Sequence, residues 1–314
     1  MSVRWCTHTN RPWRDRERGV ALVVVLWMLA LLAVLVLSFT SVMRTELNIV
    51  HNQEETAHAR AIADAGVTLA ILSTLDPLPA TQWQGTGEMH DLRFGTGAIR
   101  VAVQDECGKI DLNEAPPELL TGLFHTLALP ETESDQLVAA IMTRRAEALR
   151  QSTMGAETSA AAEALASQKP FLAIDELRLL PGVTSALYEK LRPFLTVYSA
   201  QAGVNPMTAP AQVLESLPGA TPDVIATFLA ARSAGGSAAV PLPLLVGVTG
   251  IVGGTLHVFT VTSEGITQSG ARFIREAVVE TSSPDSARFL SWRQAQNPTT
   301  VTPSTNIDPL SRTD

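Results

Sequence analysis

Cysteine is nearly absent: the 314 residues contain two, Cys6 and Cys107. A disulfide scaffold is therefore excluded, and loss of the N-terminal segment would leave Cys107 without an internal partner. Aromatic residues reach only 5 %, while Ala, Leu, Val and Thr dominate, which suits helices and a modest sheet. Catalytic signatures are missing too. No G-x-S-x-G, H-E-x-x-H, S-x-x-K before S-D-N, or phosphate-binding loop occurs, so no enzyme is expected. Cys107 lies between Glu106 and Gly108 with no histidine nearby, and the adjacent carboxylate disfavours its thiolate. Positive charge is also short, with 23 basic against 31 acidic residues and a net charge of −8. The first 19 residues hold five arginines against Asp15 and Glu17, so the remainder has 18 basic and 29 acidic groups, or −11. An acidic body argues against general affinity for nucleic acid or anionic lipid.

What the chain does have is one long apolar run. Residues 20–43 carry no charge, and 20–37 are apolar without interruption. As a helix those 24 residues span about 36 Å, enough for a hydrocarbon core of about 30 Å. Arginines precede the run and outnumber Arg44 beyond it, which directs the N-terminus to the cytoplasm. A secretory signal would leave by an A-x-A-like site, and "LSFTSVMRTE" offers none. Instead a basic leader ends at Gly19, directly against the helix.

Helical spacing continues beyond the membrane through Leu47, Val50, His51, Glu54, His58, Ile62, Ala65, Leu69 and Leu72, with small residues suited to close packing on a sheet. Asp76, Pro77, Leu78 and Pro79 end this helix. "DLRFGTGAIRVAVQDE" alternates about Gly95, Thr96 and Gly97 and predicts a hairpin. "GGTLHVFTVTSEG" with "GARFIREAVVET" predicts a second. Between them, residues 113–232 read as helical, and from residue 282 a Ser/Thr/Pro/Asn-rich tail is expected to be disordered. A helical block inserted within a sheet makes the fold class α+β.

The block contains an echo. "DLNEAPPELLTGL" (111–123) aligns with "NPMTAPAQVLESL" (205–217), with Asn113 and Thr208 as expected helix caps. Three turns rhyme as well: "LPETESDQLVAAI", "LPGVTSALYEKL" and "LPGATPDVIATFL". They suggest helix-hairpin-helix-like repeats, with Thr132, Thr184 and Thr221 near the new helix starts and Glu131 replacing glycine in the first.

Leader, Gly19 and apolar helix resemble the prepilin-type signal of type IV pilins and type II secretion pseudopilins. "DECGKIDLNEAP", "FLAIDELRLLPGV" and "VNPMTAPAQVLESLPG" sharpen this to a resemblance with type II secretion system protein K over roughly residues 14–282. Met207 departs from the Asn usual in the family's second repeat. The resemblance implies a pilin-like long transmembrane helix on a small antiparallel sheet, with a large inserted all-α domain. The implied parts are a cleaved leader (1–19), the membrane helix (20–43), the rest of the pilin helix with the first strands (44–112), the insert (113–232), and the returning strands (233–281). Processing by a prepilin peptidase would fall between Gly19 and Val20, with methylation of Val20. The fifth mature residue is Val24, where most pilins have Glu; protein K shares this lack, as suits a subunit at a filament tip.

The implied role is a minor pseudopilin that caps and nucleates the periplasmic pseudopilus. Its partners would be minor pseudopilins I and J, the major pseudopilin, the inner-membrane assembly platform and membrane lipid, with no nucleic acid. Leu22, Val25, Leu29, Leu32 and Val36 are expected at helix contacts in the membrane, and the Ile62-to-Leu72 face on neighbouring subunits. The alternatives are a minor pilin of a type IV pilus and a DNA-binding or uptake protein. The second would need a basic face, which the hairpins lack. Asp105, Glu106 and Asp111, with Glu114, could attract calcium, but without EF-hand spacing they read first as a capping turn with Lys109 paired to one of them. No cofactor is expected. His51 and His58 share a helical face without a third ligand.

Overall fold

The computed structural model describes residues 17–76, 82–154, 169–235, 242–253, 257–283 and 286–295. Arg4, Arg11, Arg14 and Arg16 of the leader, Cys6, Pro77, Leu78, Pro79 and residues 296–314 lie outside them. The first helix, α1, spans Glu17–Thr74. It is unbroken because residues 44–74 contain no proline, one glycine and six alanines, so helix propensity continues where the apolar run stops. The chain divides into two compact units, Met1–Ala57 and His58–Asp314. The first holds the apolar part of α1.

In the second unit, β1 (Thr86–Phe94), β2 (Gly97–Asp105), β5 (Val258–Ile266), β6 (Arg272–Ser283) and β7 (Ser286–Gln294) form one antiparallel sheet in the order β1-β2-β5-β6-β7. Both expected hairpins are present. In the first, Phe94 pairs with Gly97 across a two-residue turn in which Gly95 has φ 58°, a left-handed value that glycine adopts freely. β7 corrects the expected tail, which was placed from residue 282. The Ser/Thr/Pro-rich average hid "ARFLSWR", whose large side chains suffice for an edge strand when β6 is there to pair with.

Ile99, Val101 and Val103 of β2, Phe259 and Val261 of β5, and Ala277 and Val279 of β6 form one core with Ile62, Val67 and Ala70 of α1. Burying each larger side chain contributes about 1.5–3 kcal/mol. The Ile62-to-Leu72 face is thus spent largely on the chain's own sheet, not on a neighbour, although Leu72 is exposed. An intramolecular sheet covers the stripe without any association cost. Approach is close: a Cβ at Gly66 would lie 2.2 Å from Ser263 Oγ, and one at Gly265 would lie 2.2 Å from the Ala59 carbonyl oxygen. Gly265→Ala should cost about 1–3 kcal/mol through this overpacking, read as a lower urea midpoint; an unchanged midpoint would mean that helix and sheet can part freely. Beside this contact, Arg275 Nε donates to Asp64 Oδ1 at 2.7 Å. Its guanidinium lies 4.9 Å from both the Phe273 and the Trp292 rings.

The insert between β2 and β5 has its own core, including Leu119, Leu123, Phe124, Ile141, Tyr188 and Phe228. Among the described residues its helices are α2 (Pro117–Thr126), α3 (Glu131–Met154), α4 (Ser185–Leu191), α5 (Ala211–Glu215) and α6 (Pro222–Gly235). It is not purely helical: β3 (Ile110–Asp111) pairs in parallel with β4 (Leu195–Thr196). Two-residue strands leave no alternation to detect in sequence.

The sequence echo has a structural counterpart. Asp111 Oδ1 accepts from Asn113 N at 2.7 Å, and Asn205 Oδ1 accepts from Met207 N at 3.0 Å. Four residues on, the Ala115 and Ala209 amides donate to the Asp111 and Asn205 carbonyls at 3.0 and 2.9 Å. Pro116 and Pro210 then precede the helices without any side-chain cap, so Asn113 and Thr208 are not the caps expected of them. Asn113 instead bonds both ways to Phe171, at 2.8 and 3.0 Å.

Each short helix ends near a left-handed residue, Ala128 (φ 54°) or Gly219 (φ 83°), before a longer helix begins. Position 131 therefore does not replace the turn glycine; Ala128 does. Arginines on the longer helices reach back to matching carbonyls. Arg145 donates to Leu112 O at 2.7 Å and Ala115 O at 2.6 Å, and Arg232 donates to Pro206 O at 2.9 Å and Ala209 O at 2.7 Å. The short helices meet at equivalent positions, where a Cβ on Gly122 would lie 2.2 Å from the Ser216 carbonyl. Of the expected threonine caps, Thr184 accepts from Leu187 N at 3.2 Å and Thr221 from Val224 N at 3.4 Å. Thr132 falls inside α3.

Candidate functional site

Two regions carry the functional expectations. The first is the apolar part of α1. Val20–Phe39 has a mean hydropathy of 3.2 and none of it is buried within the chain. Val20, Leu22, Val25, Leu29, Leu32 and Val36 are all exposed, as are Val23, Val24, Leu26 and Trp27 between them. The five positions expected at helix contacts are as exposed as the residues between them. A surface so uniformly apolar requires a non-aqueous surrounding, from lipid or from other helices. Gly19 lies within α1, as the third of the described residues.

The second region is the acidic turn after β2, where the chain leaves the sheet for the helical insert. Asp105, Glu106 and Asp111 are buried, and Glu114 is exposed. All six carboxylate oxygens of the buried three meet protein donors. Asp105 Oδ1 accepts from Cys107 N at 2.9 Å and Oδ2 from Thr208 Oγ1 at 3.0 Å. Glu106 Oε1 accepts from Lys109 Nζ at 2.5 Å and Thr260 Oγ1 at 2.6 Å, while Oε2 accepts from Thr196 Oγ1. Asp111 Oδ1 takes Asn113 N, and Oδ2 takes Ser199 Oγ at 3.0 Å and Ala200 N at 2.8 Å.

This is staple chemistry: Thr260 belongs to the sheet, Thr196 and Thr208 to the insert, and the carboxylates tie them together. Among the described residues, no three His, Cys, Asp or Glu side chains gather as a metal centre. The weak calcium candidates Asp105, Glu106 and Asp111 are thus turned toward protein, as capping residues would be, and Lys109 pairs as expected. Burial raises the Asp105 pKa above its ordinary value against the bonds from Cys107 and Thr208. It pushes the Cys107 thiol up to about 12, aided by Asp105, so this cysteine stays a protonated, unreactive thiol at neutral pH.

A third group was not foreseen in the sequence. Glu276 of β6 is buried, and Oε1 accepts from Arg293 Nε at 3.0 Å and Nη2 at 2.5 Å, while Oε2 accepts from Arg192 Nη2. Arg293 is on β7 and Arg192 follows α4, so this cluster also joins sheet and insert. Arg293 Nη1 bonds Asp175 at 3.1 Å, and Asp175 accepts from the Tyr188 hydroxyl at 2.6 Å. The sequence signal, visible in retrospect, is Arg275 and Glu276 interrupting the apolar strand "FIREAVV".

Comparison with known proteins follows this division. Residues 101–200 match the family model described as "Type II secretion system (T2SS), protein K". The match starts in β2 and ends after β4, covering the acidic turn and the first half of the duplication. No curated protein matches the chain. Among solved structures, the chain is similar to one in the GspK-GspI-GspJ complex from the enterotoxigenic Escherichia coli Type 2 Secretion System. The TM-score is 0.52 and the identity 16 %, over 79 % of this chain and 99 % of that one. At that identity the likeness speaks for the fold, and with the family match it bears out the resemblance to protein K. The observed architecture, mixed helix and antiparallel sheet behind an N-terminal apolar helix, is consistent with it.

Proposed function

We propose, on the premise that residues 101–200 are a protein K segment, that this chain is a minor pseudopilin capping and nucleating a type II secretion pseudopilus. The supporting observation is the placement of that segment: it hangs between β2 and β5 of a sheet packed on a helix whose N-terminal part is wholly apolar. The 20 residues of Val20–Phe39 span about 30 Å and anchor the subunit in the inner membrane. The arginine-rich leader stays cytoplasmic and the body lies in the periplasm. Prepilin peptidase cuts after Gly19, and the new N-terminus, Val20, is methylated.

Capping follows from two features. The insert is bulky, with a core of its own, which suits an end position better than a repeating lattice. Val24 supplies no carboxylate for the amine of a subunit above it, and burying an unpaired carboxylate in a membrane would be costly. Leu22, Val25, Leu29, Leu32 and Val36 contact the helices of neighbours. Those are pseudopilins I and J, by analogy with the enterotoxigenic complex, and then the major pseudopilin, with the assembly platform beneath. The role is assembly, not catalysis.

Intact mass spectrometry of the membrane-extracted protein, with and without active prepilin peptidase, tests the reading. The expected product begins at methylated Val20 only when the peptidase is active. A chain that retains its leader beside the active enzyme would sink it.

A further inference from the structure

A cleft of about 510 Å³ lies between the sheet and the insert, on the sheet face turned away from α1. Its floor is Ala102 and Thr262, and Met89 of β1 stands at one side. The lining is unlike the rest of the molecule in charge. It holds five cationic side chains and three glutamates, an excess of two positive charges in a protein of net −8. The glutamates are already matched: Glu106 by Lys109, Glu276 by Arg192 and Arg293, and Glu189 by Arg178 and Arg192.

Arg232 and Lys190 account for the excess. Arg232 donates Nη1 to the Pro206 and Ala209 carbonyls. Burial pushes its pKa down, and among the described residues no carboxylate acts to raise it. A half-buried guanidinium without a counter-ion is an electrostatic cost that an incoming carboxylate would offset.

The cleft also opens on a strand edge. β1 is the end strand of the sheet, and Thr86, Gly87 and Met89 line the cleft. The pairing of β1 with β2 shifts register between Thr86 and Met89, and Gly87 has φ 79°. As the end strand, β1 has no strand on its outer side among the described residues, so its outer backbone groups can pair with a further strand.

We propose that this cleft binds an extended acidic peptide segment, added along the free edge of β1, with a carboxylate neutralising Arg232 and Lys190 strengthening the attraction. The proposal stands on the cleft alone and holds or fails independently of the secretion reading. The test is fluorescence anisotropy with the full chain in detergent micelles and a fluorescein-labelled heptapeptide of alternating valine and aspartate. Binding should weaken at least tenfold when asparagine replaces aspartate, and at least fivefold for Lys190→Glu, an exposed position whose substitution leaves the fold intact. Arg232→Gln, which retains an amide donor for the two carbonyls, should weaken it at least tenfold. In a methyl-labelled sample, the Met89 resonance should shift on addition of peptide. No binding at millimolar peptide, equal binding of the asparagine peptide, indifference to Lys190→Glu, or a static Met89 signal would each overturn the proposal. Displacement of the peptide by glutarate at the peptide's own concentration would overturn it too, because the site would then hold a small acid.

Discussion

Replacing Glu106 with alanine should destabilise the chain by about 3–5 kcal/mol at neutral pH, because the buried Lys109 ammonium loses its counter-ion. The side chains of Lys109 and Glu106 are 10 % and 3 % exposed, so water cannot replace the pair. Two hydroxyls lose their acceptor at the same time, Thr260 on the sheet and Thr196 on the insert, and an unsatisfied buried donor adds about 1–3 kcal/mol where no water reaches it. The loss should appear in urea denaturation of the detergent-solubilised chain, and hydrogen exchange should rise first at β3 and β4, where Thr196 is held. The double variant Glu106→Met with Lys109→Met should recover much of it, since an apolar replacement for a buried ion pair is often neutral. A single-variant loss below about 1 kcal/mol, the range of exposed pairs, would show that Lys109 is solvated and that the staple contributes little.

Glu276→Gln should have the next largest effect, about 2–4 kcal/mol at neutral pH, by leaving the Arg192 and Arg293 guanidiniums without their common carboxylate. The Glu276 side chain is only 6 % exposed. Its pH dependence separates this staple from simple packing. Burial opposes ionisation of Glu276, but Arg192 and Arg293 outweigh it and hold the carboxyl below its ordinary pKa. A carboxylate depressed in the folded state contributes stability that is complete above the unfolded-state value, about 4.3, and lost as the pH falls through the folded-state value. Asp105 has the opposite displacement, so the two groups oppose one another in the parent's own curve. The difference between parent and Glu276→Gln cancels the Asp105 contribution. That difference should therefore hold steady above about pH 5 and shrink as the pH falls through the unfolded-state value of about 4.3 and below it, and two parallel stability curves would remove the ion pair from the account.

Much of the fold could be read from neighbouring residues. The apolar run, the alternation around Gly95 and the alanine-rich continuation of α1 are local patterns, and each became the element it predicts. The echo between residues 111–123 and 205–217 was legible too. Its mechanism was not: Asn113 and Thr208 looked like caps by position, but the proline before each helix moves the helix start, and both side chains are drawn to distant partners. The arginines that complete each unit, Arg145 and Arg232, gave no signal, because the carbonyls they satisfy lack partners only once the turn has formed. β7 was hidden by the polar residues around it.

The candidate sites divide along the same line. The apolar helix, the Gly19–Val20 boundary and the acidic turn were visible as sequence, and so was the pairing of Lys109 with one of its near neighbours. The charged pair inside "FIREAVV" marks Glu276 as unusual but does not name its partner, for Arg192 is 84 positions away; Asp64 and Arg275 are separated by 211. By itself the sequence determined the long first helix, both hairpins and the resemblance to protein K, because propensity, hydrophobic period and motif depend on residues close in the chain. Only the tertiary structure decided which charges are buried together and how the insert is fastened to the sheet, because those pairs exist only after folding has closed the long loops between them.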